Sequence, residues 1–378
     1  MVPVINRKYQ GKRFRMKVGE KSYRSIWLAE DGRQVEIIDQ TRLPHEFVTV
    51  SLATLEDAAR AIRDMLVRGA PLIGAAAAYG MCLGLGKGVS DADIEHIGRV
   101  LTACRPTAVN LRWAVRRMSA RLLSLPEDDR IRAAYAEAGK ICEEDVAVNE
   151  AIGTHGLKLI RDAWERKGRQ GVVRVLTHCN AGWLATVDWG TALAPVYKAF
   201  GAGIPLHVWV DETRPRSQGA SLTAWELAAQ GIGHSLIVDN AGGHLMQHGQ
   251  VDLCIVGTDR TTATGDVCNK IGTYLKALAA RDNNIPFYVA LPGSTIDWRL
   301  SDGMEIPIEE RSQDEVLWVP GKTKDGRLEA VRIAPEATGA ANPAFDITPS
   351  SLVTGLITER GVCPASREGL AGLFPEMV

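Results

Sequence analysis

Short hydrophobic runs alternate with longer amphipathic segments beyond residue 170. The runs occupy residues 172–177, 206–210, 235–238, 253–256 and 287–290. Strands that are apolar on both faces are typical of a parallel sheet that helices cover on both sides. The pattern therefore predicts an α/β fold whose C-terminal part is a Rossmann-like, doubly wound parallel sheet.

The N-terminal part has a different pattern, with three short strand-like segments close together in sequence. They cover residues 23–28, 35–39 and 46–50, and turn-forming pairs at 31–32 (Asp-Gly) and 43–44 (Leu-Pro) separate them. Short strands joined by turns favour an antiparallel sheet. We expect this sheet to open the fold.

Helical periodicity follows the antiparallel segments. Thr54 and Asp57 have the spacing of a capping box, and the helix that starts there is expected to end at Gly69. Residues 72–167 are helical in pattern almost throughout. Helix boundaries are predicted at Ser90-Asp91, Arg105-Pro106 and Leu125-Pro126.

A polar stretch at residues 164–171 is the best linker candidate. A chain of 378 residues exceeds what one hydrophobic core usually supports. We therefore predict two domains. The smaller N-terminal domain, residues 1–165, combines short antiparallel strands with a helical bundle, and residues 170–378 form the Rossmann-like catalytic domain.

The net charge and the distribution of cysteines limit the binding partners and the cellular location that we expect. The formal net charge is −1, so neither nucleic acid nor a membrane surface is expected as a partner. Residues 1–15 lack the apolar core of a secretion signal, and the uncharged stretch 69–86 contains Pro71 and many Gly and Ala, which favours a buried helix. Seven dispersed cysteines without a Cys-x-x-Cys pair indicate reduced thiols and a cytoplasmic location.

Cofactor motifs are incomplete. The segment 201–203 (Gly-Ala-Gly) lacks the third glycine of the dinucleotide fingerprint, and no phosphate-binding Gly-x4-Gly-Lys-Ser/Thr motif occurs. His244 and His248 have a spacing that can place two imidazoles on one metal, but no third ligand is close in sequence, and surface or core histidines are the alternative. We expect neither a metal nor an organic cofactor.

Polar residues cluster where the predicted strands end. The clusters are Thr177-His178-Cys179-Asn180, Asp211-Glu212-Thr213-Arg214, Thr258-Asp259-Arg260 and Ser294-Thr295-Ile296-Asp297. In open α/β sheets the carboxyl ends of the strands form the ligand crevice. The sequence therefore predicts an active site at this edge.

Two residues of these clusters are candidates for catalysis. Cys179 precedes a segment, 181–200, with a largely helical pattern, and helix N-terminal amides would lower the thiol pKa and favour a thiolate. A buried structural cysteine is the alternative. Asp259 follows an apolar strand, and burial there would raise its pKa toward that of a proton shuttle. A salt bridge with Arg260 is the alternative for this carboxylate.

Several basic and amide side chains stand near glycine or proline breaks. They are Arg68, Arg105, Arg214, Arg216, Gln218, Asn269 and Lys270. Arginine supplies a bidentate fork for phosphate oxygens, and lysine supplies a point charge. Side chains of this kind near such breaks can converge on a phosphate, although each alone is compatible with a solvated or ion-paired surface residue.

The chain resembles the methylthioribose-1-phosphate isomerases from Trp27 onward. The resemblance is carried by six blocks: Arg68-Gly-Ala-Pro-Leu-Ile-Gly74, Arg105-Pro-Thr-Ala-Val-Asn-Leu111, Thr177-His-Cys-Asn-Ala-Gly182, Asp211-Glu-Thr-Arg-Pro-Arg216, Gly265-Asp-Val-Cys-Asn-Lys-Ile-Gly-Thr-Tyr274 and Asn342-Pro-Ala-Phe-Asp346. The resemblance implies an aldose–ketose isomerase of methionine salvage that acts on 5-methylthioribose 1-phosphate as a homodimer without a cofactor.

The resemblance also implies roles for individual residues. Cys179 would assist the transition state, and Asp259 would donate the proton. Substrate contacts would come from Arg68, Gly69, Ala70, Arg105, Gln218, Asn269 and Lys270. Two alternatives stay open: an isomerase of 5-deoxyribose 1-phosphate or ribose 1,5-bisphosphate, and a non-catalytic subunit similar to the regulatory subunits of a translation-initiation exchange factor.

Overall fold

Short antiparallel strands open the fold in the computed structural model, which describes residues 16–105 and 108–377. The strands are β1 (Lys17–Val18), β2 (Lys21–Ser22), β3 (Ile26–Leu28), β4 (Val35–Ile38) and β5 (Thr49–Leu52). Strands β3, β4 and β5 form one antiparallel sheet, as predicted. Ile26 pairs with Ile37, and both are buried in the helical core. Residues 1–15, where no secretion signal is expected, lie outside the described residues.

A group of helices follows this sheet. They are α1 (Leu55–Arg63), α2 (Ala70–Gly84), α3 (Asp91–Cys104), α4 (Val109–Leu123) and α5 (Glu127–Arg166). The capping box of Thr54 and Asp57 at α1 is confirmed. The boundaries predicted near residues 90 and 125 are also confirmed, whereas Pro106 lies outside the described residues.

The predicted end of the first helix at Gly69 is wrong. Helix α1 ends at Arg63, and Gly69 is the N-cap residue of α2. Gly69 has a φ of 92°, and a Cβ there would lie 2.4 Å from the carbonyl oxygen of Ala185. Glycine is therefore needed at this position for close backbone approach and not for helix termination.

The uncharged stretch forms α2, which is buried along nearly its whole length, as predicted. It packs against α1, α3, α4 and α5. Within residues 16–105 and 108–377, no helix is long and apolar enough to cross a membrane. Helix α5, 40 residues long, continues from this bundle to contact the C-terminal sheet.

Further strands and helices follow α5. The strands are β6 (Val173–Thr177), β7 (Leu206–Asp211), β8 (His234–Ile237), β9 (Leu253–Val256), β10 (Arg260–Thr262), β11 (Val267–Lys270), β12 (Phe287–Ala290), β13 (Ile296–Asp297), β14 (Trp318–Lys322), β15 (Leu328–Arg332), β16 (Phe345–Thr348), β17 (Gly355–Thr358) and β18 (Gly361–Cys363). The helices between and after them are α6 (Ala194–Gly201), α7 (Ala224–Ala229), α8 (Ala241–Gln247), α9 (Thr273–Asp282), α10 (Asp314–Leu317) and α11 (Arg367–Leu373).

The central sheet has seven strands in the order β18-β17-β12-β9-β6-β7-β8. All neighbours are parallel except β17 and β18. Val175 of β6 packs in the core shared with α5 and α6, and the next residue, Leu176, packs in the core shared with α8 and α9. Helices therefore cover both faces, and the predicted Rossmann-like sheet is confirmed.

A second sheet, in the order β13-β10-β11-β16, and the hairpin β14–β15 are absent from the sequence predictions. Strand β10 is Arg-Thr-Thr and β11 is Val-Cys-Asn-Lys, and all seven residues are buried. Polar residues buried in short strands carry no hydrophobic alternation, which is the signal for a strand in sequence. Their burial brings polar side chains to the candidate site.

Candidate active site

The loops that follow β6 and β9, together with β11, meet at the carboxyl edge of the central sheet. Cys179, Asp259 and Lys270 are close enough there to influence one another's charge. Arg68, which immediately precedes α2, acts on all three. The structure thus brings together four of the site residues predicted from sequence.

Cys179 is held in an unusual backbone conformation. Its φ is 64°, and Thr213, in the loop after β7, has a φ of 63°. The Cys179 N–H donates to Thr213 Oγ1 at 2.8 Å, and Thr223 Oγ1 donates to the Cys179 carbonyl oxygen at 2.7 Å. Left-handed backbone at non-glycine residues costs about 1–3 kcal/mol and concentrates at functional sites. The two hydrogen bonds fix the thiol in the crevice against that cost.

The expectation that helix N-terminal amides lower the pKa of Cys179 is wrong. Burial raises the pKa of Cys179, and the positive charges of Arg68 and Lys270 only partly oppose this effect. The segment after Cys179 is also not the predicted helix, because it contains a 3₁₀ turn at Trp183–Ala185 and α6 begins only at Ala194. The structure therefore places a neutral thiol, without a helix N-terminus beside it, in the site.

Asp259 lies in the loop between β9 and β10 and is partly accessible to solvent. Its backbone N–H donates to the Cys268 carbonyl oxygen at 2.9 Å. Burial raises the pKa of the Asp259 carboxyl, and the nearby positive charges of Lys270, Arg68 and Arg105 oppose the rise. The predicted direction is confirmed. Arg260, the alternative salt-bridge partner predicted for Asp259, has its Nη1 3.8 Å from Asp297 Oδ2.

Lys270 supplies a buried cation beside the thiol and the carboxyl. Its side chain leaves β11 with its Nζ 2.9 Å from the Ala344 carbonyl oxygen and over the Phe345 ring. Burial lowers the pKa of Lys270, whereas Cys179 and Asp259 raise it. The neighbouring Asn269 is also buried, and its amide donates to Thr273 Oγ1 at 3.0 Å.

Arg68 links the helical region to the β6 loop. Its Nη1 donates to Asn180 Oδ1 at 2.5 Å, and its Nη2 donates to the Asn180 carbonyl oxygen at 2.7 Å. Gly69 and Ala70 then begin α2, a helix of 15 residues whose first turn has no side-chain cap. A guanidinium next to uncapped helix N–H groups is a suitable anion site.

Arg105 and Gln218 complete the polar surroundings. Arg105 Nη2 lies 3.2 Å from Glu309 Oε2, and Arg311 contacts the other oxygen of Glu309 at 2.8 Å. Gln218 is 6% exposed, and its Oε1 has no hydrogen-bond partner among the described residues. A buried, unpaired amide oxygen is a position where a ligand hydroxyl can donate.

A cavity of about 470 Å³ borders Arg68 and Gln218. Its walls come from residues 40–45, the loop 215–222 and the hairpin β14–β15. Nine of the contributing side chains are apolar: Leu43, Pro44, Met65, Pro215, Leu222, Trp318, Pro320, Leu328 and Ala330. Two basic candidates make other contacts: Arg214 Nη2 donates to the Val316 carbonyl oxygen and Arg216 Nη1 to Glu315.

A second charged cluster lies next to the candidate site. Potential metal-ligand atoms of His178, Asp211 and Asp239 lie within 4.8 Å of one another. The Lys276 ammonium, however, lies 3.2 Å from Asp211 Oδ2 and contacts the Asp239 carbonyl oxygen. His178 Nδ1 is 2.8 Å from Asp211, and its Nε2 is 2.8 Å from the Ile271 carbonyl oxygen. A lysine ammonium already supplies the positive charge that a metal would supply there.

Comparison with known proteins identifies the family. The profile of the Initiation factor 2 subunit family matches residues 66–365. The methylthioribose-1-phosphate isomerase of Paramagnetospirillum magneticum is 66% identical over 362 residues, covering 96% of this chain and 99% of that protein. The same enzyme of Sinorhizobium medicae is 63% identical over 96% of this chain and 100% of its own length. The chain belongs to this family, among its methylthioribose-1-phosphate isomerases.

Solved structures within the family agree. The crystal structure of 5-methylthioribose 1-phosphate isomerase from Pyrococcus horikoshii OT3 matches with a TM-score of 0.81 and 41% identity, covering 94% of this chain and 97% of that one. A structure described as the translation initiation factor eIF-2B delta subunit from A. fulgidus matches with a TM-score of 0.78 and 38% identity, covering 94% and 100%. The same fold thus occurs in a protein described as an isomerase and in a protein described as a translation initiation factor subunit.

Sequence reasoning missed three residues that support this site: Asn180, Thr213 and Glu226. Asn180 and Thr213 belong to the polar clusters. Nothing in the sequence, however, indicates the hydrogen bonds that they make or the positive φ of Thr213. Glu226 lies on α7 with no motif around it, and it is fully buried. A charged residue between apolar neighbours, Trp225 and Leu227, is the signal that could have marked it.

Proposed function

We propose that this family member interconverts 5-methylthioribose 1-phosphate and 5-methylthioribulose 1-phosphate, an aldose–ketose isomerisation of methionine salvage. The observation that carries the proposal is the convergence of Cys179, Asp259 and Lys270 at the sheet edge, with Arg68 beside them. A regulatory binding module needs no thiol and acid in one cationic crevice, whereas a sugar-phosphate isomerase uses both.

The phosphate on C1 is held by the cationic side of the crevice. Arg68 offers its guanidinium, Gly69 and Ala70 offer the uncapped start of α2, and Arg105 and Lys270 add positive charge. In the free protein Arg105 is paired with Glu309. Arg311 also contacts Glu309 and stays as its partner when Arg105 turns toward the phosphate.

Asp259 carries the proton chemistry in this proposal. Burial raises the pKa of the Asp259 carboxyl, which favours its protonated form, and in this proposal that form protonates the ring oxygen and opens the sugar. The bond between C1 and the ring oxygen breaks and leaves C1 electron-deficient. Hydrogen then moves from C2 to C1, and the Asp259 carboxylate accepts the O2 proton as the C2 ketone forms. The neutral Cys179 thiol lies against the same carbons, and Gln218 Oε1 and Asn269 accept from or donate to sugar hydroxyls.

The cavity beside Arg68 and Gln218 favours an apolar group on C5. A 5-phosphate requires cations with free charge, whereas a methylthio group requires apolar walls. Besides Arg68, which the C1 phosphate occupies in this proposal, the arginines of the cavity wall are ion-paired: Arg42 with Glu46 and Arg216 with Glu315 at 2.9 Å. Glu315 is also bound by Arg311. This lining supports the methylthio sugar over ribose 1,5-bisphosphate.

A comparison of kcat/KM on three sugars tests the proposed function. We expect 5-methylthioribose 1-phosphate to be the best substrate and 5-deoxyribose 1-phosphate to follow, since losing a methylthio group removes roughly 1–3 kcal/mol of apolar contact. Ribose 1,5-bisphosphate is expected to be the poorest. A higher kcat/KM for the bisphosphate would overturn the assignment. If none of the three sugars is turned over, the result would favour the non-catalytic regulatory subunit instead.

We also propose a cytoplasmic homodimer with the domain division 1–165 and 170–378. Strand β8 is an edge strand of the central sheet, and several large apolar side chains at its end and on α9 are exposed: Leu236, Val238, Tyr274, Leu275 and Leu278. The Lys276 contact to Asp239 places α9 beside the end of β8. An edge strand with exposed apolar neighbours is a natural pairing surface. In a sedimentation experiment we expect the wild type to be a dimer and the Leu275→Glu variant to be a monomer.

A further inference from the structure

We propose that Glu226 is a positioning residue that acts through Asn180 to orient the Arg68 guanidinium toward the substrate phosphate. The inference rests on the proposed role of Arg68 in phosphate binding. Glu226 does not touch Arg68, so its influence is transmitted through Asn180, whose side-chain and carbonyl oxygens both accept from Arg68.

Glu226 is fully buried and accepts hydrogen bonds from four donors. Its Oε1 accepts from Asn180 Nδ2 at 2.9 Å and from the Leu184 N–H at 3.0 Å. Its Oε2 accepts from the Trp183 N–H at 3.0 Å and from the Tyr197 hydroxyl at 2.6 Å. All these partners donate, so the arrangement suits an ionised carboxylate, which is an acceptor only.

Packing around Glu226 shows that the loop is built on this carboxylate. A Cβ on Gly182 would lie 1.8 Å from Glu226 Oε2, so only glycine lets the chain pass so close. The loop from Cys179 to Ala185 thus wraps one buried negative charge. Burial raises the pKa of Glu226, and the hydrogen bonds from Tyr197 and Asn180 oppose the rise.

Glu226 sets which way the Asn180 amide faces, together with Thr223 Oγ1, which also accepts from Asn180 Nδ2 at 3.2 Å. An amide has one donor end and one acceptor end, and Glu226 accepts only while Arg68 donates only. Asn180 therefore turns its Nδ2 to Glu226 and its Oδ1 to Arg68, where the Nη1 distance is 2.5 Å. The reversed amide would place a donor against Arg68 and an acceptor against the carboxylate.

Two branches of the Glu226 network make a matched comparison. Tyr197 and Asn180 each donate one side-chain hydrogen bond to Glu226, but only Asn180 continues to Arg68. General loosening of the loop would affect both branches alike. A positioning role predicts a kinetic effect along the Asn180 branch alone.

The experiment compares Glu226→Gln, Asn180→Ala and Tyr197→Phe, alone and combined with Arg68→Ala, in full-length protein. Glu226→Gln introduces a donor that favours the reversed Asn180 amide, and Asn180→Ala removes the link. Both are expected to raise KM, and the inhibition constant for inorganic phosphate, by about tenfold or more with little change in kcat. Tyr197→Phe is expected to lower the melting temperature with KM near wild type.

The combination with Arg68→Ala separates the possible outcomes. If Arg68→Ala raises KM and Asn180→Ala adds nothing further to it, the two residues act as one unit, as proposed. If Arg68→Ala raises KM while Asn180→Ala does not, or if Tyr197→Phe raises KM equally, the positioning role is contradicted. If Arg68→Ala leaves KM unchanged, the proposed phosphate contact itself fails. A folded Glu226→Gln with KM near wild type contradicts the role of Glu226 even when Asn180→Ala raises KM. Should Glu226→Gln not fold, Glu226→Asp, whose side chain is one methylene shorter, takes its place.

Discussion

Two buried charged clusters lie side by side at the carboxyl edge of the same sheet, and their chemistry differs. In the closed cluster, the carboxylate of Asp211 has the His178 imidazole at 2.8 Å and the Lys276 ammonium at 3.2 Å. In the open cluster, Cys179 and Asp259 face Lys270 and Arg68, and the pKa values of the first two are raised by burial. The charged groups of the closed cluster are paired with one another, whereas the charged and polar groups of the open cluster can still bind a ligand.

The difference teaches that burial of charge alone does not mark an active site. Both clusters follow parallel strands, and both contain acid and base side chains. What distinguishes the open cluster is an adjoining cavity and the buried Gln218 Oε1, which has no hydrogen-bond partner among the described residues. Substitutions in the open cluster should therefore change catalysis, and substitutions in the closed cluster should change stability.

The largest expected effect is on turnover by Asp259→Asn. The amide keeps the shape of the carboxyl but cannot exchange a proton, so kcat is expected to fall by about 10²- to 10⁴-fold. Substrate should still raise the melting temperature of the variant, which shows that it folds and binds. A kcat near that of wild type would remove Asp259 from the proposed chemistry.

Lys276→Met tests the closed cluster with a substitution of similar length. Lys276 and Asp211 are 5% and 0% exposed, and removing one partner of a buried ion pair costs about 3–5 kcal/mol of unfolding free energy. Urea denaturation measures this loss, and the folded fraction is expected to keep its KM. Unchanged stability together with lost turnover would place Lys276 in catalysis and break the comparison.

Cys179 should react slowly with alkylating reagents. Because burial raises its pKa, little thiolate is present near neutral pH, and iodoacetamide is expected to modify it about tenfold or more slowly than it modifies the unfolded chain. Mass spectrometry of the peptide containing Cys179 follows the rate, which should increase with pH and fall with bound substrate. Rapid modification in mildly acidic buffer would instead indicate the thiolate expected from sequence.

Asp145 provides a reference outside both clusters. It accepts from the Val187 N–H at 2.7 Å, and burial raises its pKa to about 7. A carboxyl with a raised folded-state pKa contributes stability below its unfolded pKa, and that contribution is lost as pH rises toward about 7. Wild type should therefore lose stability relative to Asp145→Asn between about pH 4 and pH 7, by less than about 1.4 kcal/mol per pH unit, with kcat unaffected. Equal pH profiles would contradict the shift.

The parallel sheet was predictable from sequence because strands such as β9 are continuous apolar runs buried on both faces. The rule that strand carboxyl ends share one edge also predicted that Cys179 and Asp259 lie in one crevice. The polar strands β10 and β11 were not predictable, since buried Arg260, Asn269 and Lys270 give no hydrophobic pattern. Their burial depends on partners distant in sequence, such as the Ala344 carbonyl oxygen that receives Lys270.

The ionisation state of Cys179 shows where local reasoning failed. Helical composition in residues 181–200 predicted N-terminal amides beside the thiol, but Trp189 and Gly190 adopt positive φ and interrupt the segment. The loop follows Glu226 instead, through the Trp183 and Leu184 N–H groups. A residue more than forty positions away therefore decides the backbone around Cys179, and no local pattern records it.

A crystal structure of the Asp259→Asn variant with 5-methylthioribose 1-phosphate tests the central claim most directly. We predict one sugar bound between the two side chains, with residue 259 within about 2.6–3.2 Å of the ring oxygen or separated from it by one water. The same sugar should contact the Cys179 thiol, with its phosphate at Arg68 and the start of α2. A sugar bound with its ring remote from either residue 259 or Cys179 would contradict the proposed chemistry.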